Sequence, residues 1–194
     1  MKKIILSLIH GLLKFMFIIF LRVEIRGLEH VPQTGACILA PSHLSNLDPP
    51  LVGSFIPRLD IHFFAKEELF KNKFIGAFFL FVNAFPVKRR ATDRKSLENF
   101  LNLLNAQNCV LIFPEGTRRK VGKKPIAKKG LGFFVAKSMV PVLPIKVENT
   151  NNIFFGKIKM TVGEPIYFDK SNNSIKNLEY QLISQKILDR IESL

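Results

Sequence analysis

Along this chain, short apolar runs alternate with longer stretches in which apolar and polar positions recur at helical spacing. The short runs predict strands at residues 37–40, 61–65, 85–87, 109–113, 142–147 and 157–162. The longer stretches predict helices at 49–55, 67–82 with a break, 92–107, 128–139 and 174–193. The order is largely β-α-β-α, which predicts one α/β domain with a mainly parallel sheet flanked by helices. Runs such as 109–113 are apolar throughout, as strands covered on both faces are. In the last helix Leu178, Leu182, Gln185 and Leu188 fall near one face and read as packing. No internal repeat or low-complexity linker interrupts the pattern.

The first stretch differs from the rest. Residues 4–21 are almost entirely apolar and follow Met1-Lys2-Lys3. At about 1.5 Å per residue they reach roughly 27 Å as a helix, just enough to cross a hydrocarbon core. Arg22-Val23-Glu24-Ile25-Arg26 follows without a small-residue cleavage site, which disfavours a signal peptide. Ser7, His10, Gly11 and Lys14 form one polar stripe on such a helix. That stripe favours a helix lying in the membrane interface, or packed by that face on the protein, over a single spanning helix. A buried first helix is the third possibility. The pattern thus divides the chain into an anchoring helix, 1–26, and a domain, 27–194.

Composition narrows the class. The chain has 194 residues, 47% of them apolar, enough for a sizeable core in one domain. Its 29 Lys and Arg against 15 Asp and Glu give a net charge of +14, which calls for anionic partners. Cys37 and Cys109 both sit in apolar runs and read as buried, reduced thiols in a reducing compartment.

Two segments carry chemistry. The first is Ala40-Pro41-Ser42-His43-Leu44-Ser45-Asn46-Leu47-Asp48-Pro49-Pro50, directly after a predicted buried strand. On a continuous helix the five-residue step from His43 to Asp48 would turn the side chains roughly 140° apart. The two prolines instead suit a first helical turn, with Asp48 as N-cap and a loop before it. A loop can fold the imidazole onto the carboxylate, giving a base–orienter dyad at the carboxyl end of a strand. A loop histidine beside a capping aspartate is the plainer alternative. A nucleophilic Ser42 or Ser45 ranks lower, because no Gly-x-Ser-x-Gly elbow surrounds either. No second His or carboxylate stands at metal-ligand spacing.

The second segment is Phe113-Pro114-Glu115-Gly116-Thr117-Arg118. Pro and Gly predict a sharp turn that brings Glu115, Thr117 and Arg118 to the same edge as His43. An arginine there can clamp phosphate through parallel hydrogen bonds. Basic residues cluster at Arg118, Arg119, Lys120, Lys123, Lys124, Lys128, Lys129 and Lys137, and again at Lys88, Arg89, Arg90, Arg94 and Lys95. The neighbouring aromatics are phenylalanines in apolar runs, with no nucleic-acid reading motif. Cationic edges beside Phe-rich runs fit a substrate with a phosphate head and a fatty tail, and an anionic bilayer.

Together these segments resemble the PlsC-like 1-acylglycerol-3-phosphate acyltransferases of the glycerolipid acyltransferase family. His43 and Asp48 match the His-x-x-x-x-Asp motif, and 113–118 match the Phe-Pro-Glu-Gly-Thr-Arg block. Gly76 through Phe85-Pro86-Val87-Lys88-Arg89 resembles the block between them, and Val140-Pro141-Val142-Leu143-Pro144-Ile145 the proline-containing fourth block. Ala65-Lys66-Glu67-Glu68-Leu69 is similar to the lysine-bearing segment and Lys128-Lys129-Gly130 to the basic loop.

The resemblance implies a glycerol-3-phosphate acyltransferase-like fold, with His43 as general base, Asp48 as its orienter and Glu115 holding loop backbone. It also implies Lys66, Arg89 and Arg118 on the phosphate, and Val142 and Pro144 in the block linked to the acyl donor. The implied reaction moves a fatty acyl group from coenzyme A or acyl carrier protein to lysophosphatidate, giving phosphatidate; the alternatives are another lysolipid or glycerol phosphate as acceptor and, ranked lower, a non-catalytic basic protein that binds membrane or nucleic acid. That chemistry calls for no metal or redox cofactor. Lysophosphatidate, the acyl thioester, an anionic membrane surface and acyl carrier protein are the expected partners, and nucleic acid is not one. The expected location is the cytoplasmic face of the cell membrane.

Overall fold

The computed structural model describes residues 1–87, 94–119, 124–152, 157–168 and 177–194. Seven strands form one sheet: β1 (Glu24–Arg26), β2 (Cys37–Pro41), β3 (Ile61–Lys66), β4 (Ala84–Val87), β5 (Cys109–Leu111), β6 (Val142–Glu148) and β7 (Lys159–Val162). Six α-helices surround it: α1 (Lys2–Leu21), α2 (Asp48–Phe55), α3 (Lys73–Phe81), α4 (Arg94–Asn105), α5 (Lys129–Ser138) and α6 (Asn177–Glu192). The sheet order is β1-β7-β6-β2-β5-β3-β4. Among the described residues, five of the six strand pairings are parallel and β6–β7 is antiparallel.

Side-chain alternation along the strands splits the interior into two cores. Leu39, Leu111, Leu143 and Ile145 meet Leu51, Val52 and Phe55 of α2 and Phe17 of α1 on one face. Ile38, Ala40, Val110 and Val142 meet Phe100 and Leu104 of α4, Leu131 and Val135 of α5 and Leu188 and Ile191 of α6 on the other. Residues 37–40 are fully buried, so the unbroken apolar run is what a central strand between two layers requires.

Several elements differ from the sequence pattern. β1 was not expected, because three residues with two charges carry no strand signal; it forms by pairing in register with β7. β5 ends at Leu111, ahead of the turn at Pro114. The break within 67–82 is a 3-10 turn, Glu67–Phe70, followed by α3. Asn72 caps α3 by accepting from the N–H groups of Phe74 and Ile75 (3.0 and 3.2 Å). Gly76 lets α3 seat on that turn, since a Cβ there would lie 3.0 Å from the Phe70 carbonyl oxygen. The face of α6 is rotated from the expected one: Ser184, Ile187, Leu188 and Ile191 are buried, while Leu182 is exposed. The buried four follow i, i+3, i+4, i+7, which is the stripe that meets α5.

α1 lies on the sheet rather than apart from it. Its first turn is tied to the start of edge strand β4, where Lys2 Nζ donates to Asn83 Oδ1 (2.9 Å). Its last turn leads into β1, at the opposite edge. Twenty residues of helix reach about 30 Å, and seven strands spaced about 4.8 Å apart span about 29 Å. Leu6 and Phe17 are buried beneath it, with Leu13 and Leu21 partly so. Of the expected polar stripe, His10 and Lys14 border this contact, whereas Ser7 and Gly11 are exposed. The stripe therefore runs along the rim of the packed face rather than through it.

Cys37 and Cys109 pair in register, buried and unbridged, with sulfurs 3.1 Å apart. Their hydrogen bond, together with burial, pushes the Cys109 thiol up.

Candidate active site

The carboxyl ends of β2, β5 and β6 converge on one edge, and the loop after β2 builds the site there. Ser42 closes the strand: its N–H donates to the Ile145 carbonyl (2.9 Å), and its hydroxyl donates to the Val147 carbonyl and accepts the Val147 N–H (3.1 and 2.8 Å). A hydroxyl so engaged in the ladder is a structural clasp and not a nucleophile. Ser45 Oγ is likewise occupied, accepting from Leu47 N–H (2.9 Å).

The chain then folds back as the two prolines require. Asp48 begins α2 without capping it, which corrects the expectation for its carboxylate. Pro50 has no N–H to offer a cap, and the N–H of Leu51 bonds to the Leu47 carbonyl (2.9 Å). The carboxylate instead turns to the preceding loop. Its Oδ2 accepts from His43 Nδ1 (2.8 Å) and from the N–H groups of Leu44 and Ser45 (2.7 Å each). Its Oδ1 accepts from Thr150 Oγ1 (2.5 Å). Asp48 has no exposed surface. A buried carboxylate is retained as an anion only when its lone pairs are filled this way.

That contact assigns the imidazole. With Asp48 as acceptor, Nδ1 carries the proton and Nε2 is the free base nitrogen. Nε2 has no hydrogen-bond partner among the described residues. The ring stacks on Phe113, centroids 3.8 Å apart and planes 19° off parallel, which fixes its tilt. His43 is 7% exposed.

The backbone of His43 is held from both sides by the second segment. Its N–H donates to Glu115 Oε1 (3.2 Å), and its carbonyl accepts from Arg119 N–H (2.7 Å). The turn that makes this possible has Gly116 at φ +67°, with its N–H bonded to the Phe113 carbonyl (3.0 Å). Glu115 is buried and is itself gripped by the Arg119 guanidinium (3.1 Å to Oε1), which also reaches Glu192 at the end of α6 (2.6 Å). Thr150 and Arg119 are the residues that sequence reasoning missed. Arg119 stood in a basic run with no mark to separate it from its neighbours, and Thr150 lies 102 positions from its partner Asp48.

His43, Asp48 and Glu115 are thus brought together. Lys66, the last residue of β3, and Arg118, after the turn, are exposed at the same edge of the sheet. The N–H of Lys128, at the start of α5, binds the Pro114 carbonyl (2.7 Å), which sets the Lys128-Lys129 pair beside the turn. Arg89 lies outside the described residues. Val142 and Pro144 are buried in β6, where they pair with Ile38 and Ala40 of β2. Among the described residues no group of three or more His, Cys, Asp or Glu converges on a metal position.

An α/β sheet thus carries a histidine–aspartate dyad at its carboxyl edge, braced by a glutamate-bearing turn, an arrangement suited to general-base catalysis. The family model described as Acyltransferase matches residues 22–148, and this chain belongs to that family. Among relatives, the 1-acyl-sn-glycerol-3-phosphate acyltransferase of Bacillus subtilis (strain 168) is 31% identical over 169 residues, covering 85% of this chain and 78% of that protein. A chloroplastic 1-acyl-sn-glycerol-3-phosphate acyltransferase of Brassica napus is 30% identical, over 79% of this chain and 47% of its own length. The crystal structure of PlsC, the 1-acyl-sn-glycerophosphate acyltransferase of Thermotoga maritima, superposes with a TM-score of 0.79 at 26% identity. That match covers 99% of this chain and 80% of the other.

Proposed function

We propose that the chain transfers a fatty acyl group from an acyl thioester to the free hydroxyl of 1-acylglycerol 3-phosphate, forming phosphatidate. The observation that carries the chemistry is the 2.8 Å contact of His43 Nδ1 with a buried, fully hydrogen-bonded Asp48. It leaves Nε2 to take the proton of the acceptor hydroxyl as the oxygen attacks the thioester carbonyl. Asp48 stabilises the imidazolium so formed. Collapse of the tetrahedral species expels thiolate, and the imidazolium returns the proton to sulfur. A thioester is already activated, so no acyl-enzyme is needed and neither serine of the loop is asked to form one. Glu115 acts on the His43 backbone and takes no proton in this scheme.

Lys66 and Arg118 hold the phosphate of the acceptor, as does Arg89, and so orient its hydroxyl. The donor is a thioester of coenzyme A or of acyl carrier protein. The membrane enters through α1. Its outward residues Ile4, Leu8, Leu12, Phe15 and Ile19 are all 57% exposed or more, and no charge interrupts them. With both ends at opposite edges of one sheet, α1 fits a helix lying in the interface of the cytoplasmic leaflet rather than crossing it.

The test is transfer of a labelled long-chain acyl group to lysophosphatidate in mixed micelles, with purified protein beside His43→Ala. The expected result is labelled phosphatidate that the variant does not form. Product formed equally by both would remove His43 from the reaction. No product with either donor, but product with another lysolipid, would replace the acceptor.

A further inference from the structure

α3 is the least covered helix of the domain. Phe74 is 88% exposed, Phe78 53% and Ile75 48%, and the three share one face, while Leu80, 54% exposed, stands on the other side of the helix. Gly76 faces the 3-10 turn at Glu67–Phe70, and Phe79, next to Ile75 around the helix, sets its ring 5.7 Å from Phe70. Scattered surface phenylalanines need no explanation, but three large apolar side chains on nine residues of helix form a patch. The β-α-β order alone would make α3 a crossover helix with its apolar face inward. The sequence has more apolar positions than the crossover can bury.

Two observations say what covers this patch. The first is continuity. Lys2 of α1 bonds Asn83, two residues beyond the end of α3, and its ammonium lies 5.8 Å from the Phe81 ring centroid. The start of the exposed α1 face therefore adjoins the end of α3. The second is charge. Lys71 and Lys73 stand just before and at the start of α3, and Lys2 and Lys3 stand at the junction, all exposed. Glu67 and Glu68 precede them, leaving the surround cationic.

We propose that the outward face of α3, centred on Phe74 and Phe78, is a second membrane-docking surface that extends that of α1 and seats in an anionic bilayer. The proposal rests on the interfacial reading of α1. α3 runs from the carboxyl end of β3, where Lys66 stands, to the opposite edge of the sheet. Seating it fixes the roll of the domain about α1 and so holds the catalytic edge at one height relative to the lipid headgroups.

The chain has no tryptophan, so a single introduced indole reports one site without background. Full-length protein carrying Phe74→Trp is mixed with vesicles of phosphatidylglycerol and phosphatidylcholine, some brominated in the acyl chains. Phe15→Trp in α1 and Tyr167→Trp serve as references. The expected result is a blue shift and bromine quenching at positions 15 and 74, with neither at 167. The double variant Phe74→Ser/Phe78→Ser is expected to bind vesicles at least about tenfold more weakly. Its turnover of a short-chain, fully dissolved lysophosphatidate should stay within about twofold of the parent.

Quenching at 15 without quenching at 74 would overturn the proposal while leaving α1 as an anchor. Quenching at neither would overturn the interfacial reading along with it. Concentration-dependent dimers that Phe74→Ser abolishes, without vesicle quenching, would assign the patch to a second copy of the chain and also overturn it. Because quenching is read without turnover, an inactive acceptor assay leaves this test intact.

Discussion

Asp48 has no exposed surface and receives four hydrogen bonds, one of them from the imidazole. An amide in its place can keep the contact with His43 only as an acceptor through one oxygen, and it cannot neutralise an imidazolium. Asp48→Asn is thus expected to lower kcat by about 100-fold or more with little change in KM for lysophosphatidate. Steady-state kinetics beside a denaturation midpoint check it; a KM effect alone would make Asp48 part of the acceptor site instead. Arg119 acts one step further out, holding Glu115, which holds the His43 N–H. Arg119→Ala leaves that buried carboxylate short of partners, at a cost of about 1–3 kcal/mol in stability. Loosened His43 backbone should lower kcat by about tenfold as well. Arg119→Lys restores charge but not the fork between Glu115 and Glu192, so partial rescue is expected. Equal kcat in all three proteins would reduce Arg119 to a surface ion pair.

At the scale of elements, the sequence pattern was most legible where one element is buried on both faces. The run at 37–40 and the apolar heart of β6 had no other use than central strands, and they are such strands. The dyad was legible because Pro49 and Pro50 leave the chain few ways to continue, although they also denied Asp48 its capping role. What escaped is pairing between distant segments: β1 exists through β7, Thr150 through Asp48, and the rotated face of α6 through α5. His62 belongs with these. From β3 it packs on Phe85 of β4, rings 5.5 Å apart, and its Nδ1 has no partner among the described residues. Burial pushes its pKa below the usual 6.5. Below pH 6.5 the unfolded chain therefore binds a proton that the folded one refuses until lower pH. His62 leaves stability whole above that value and erodes it as pH falls through the window below. Urea midpoints at successive pH values should show the loss in the parent and a flatter profile in His62→Phe. Parallel profiles would place the acid sensitivity elsewhere.

At the scale of the whole molecule, α1 joins two properties that a spanning helix would keep apart. Its inner side buries Leu6 and Phe17 at 3% and 5% exposure and covers part of the core beneath α2. Its outer side is apolar and open. A helix that crossed the bilayer would have lipid around it, and removing it would leave the domain's own core unchanged. A helix lying across the sheet is a wall of that core. Burial of a large apolar side chain contributes about 1.5–3 kcal/mol, so losing Leu6 and Phe17 together exposes the domain to a loss of several kcal/mol. That is a large fraction of the stability of an ordinary domain. Deletion of residues 1–21 is therefore expected to lower the urea midpoint of the remaining chain and, in the same protein, to weaken sedimentation with anionic vesicles. A milder pair separates the two effects. Leu8→Ser/Phe15→Ser on the outer side should weaken vesicle binding and leave the midpoint in place, while Phe17→Ala on the inner side should do the reverse. If Phe17→Ala left stability untouched, α1 would have to stand away from the sheet, and the membrane-crossing arrangement would be restored.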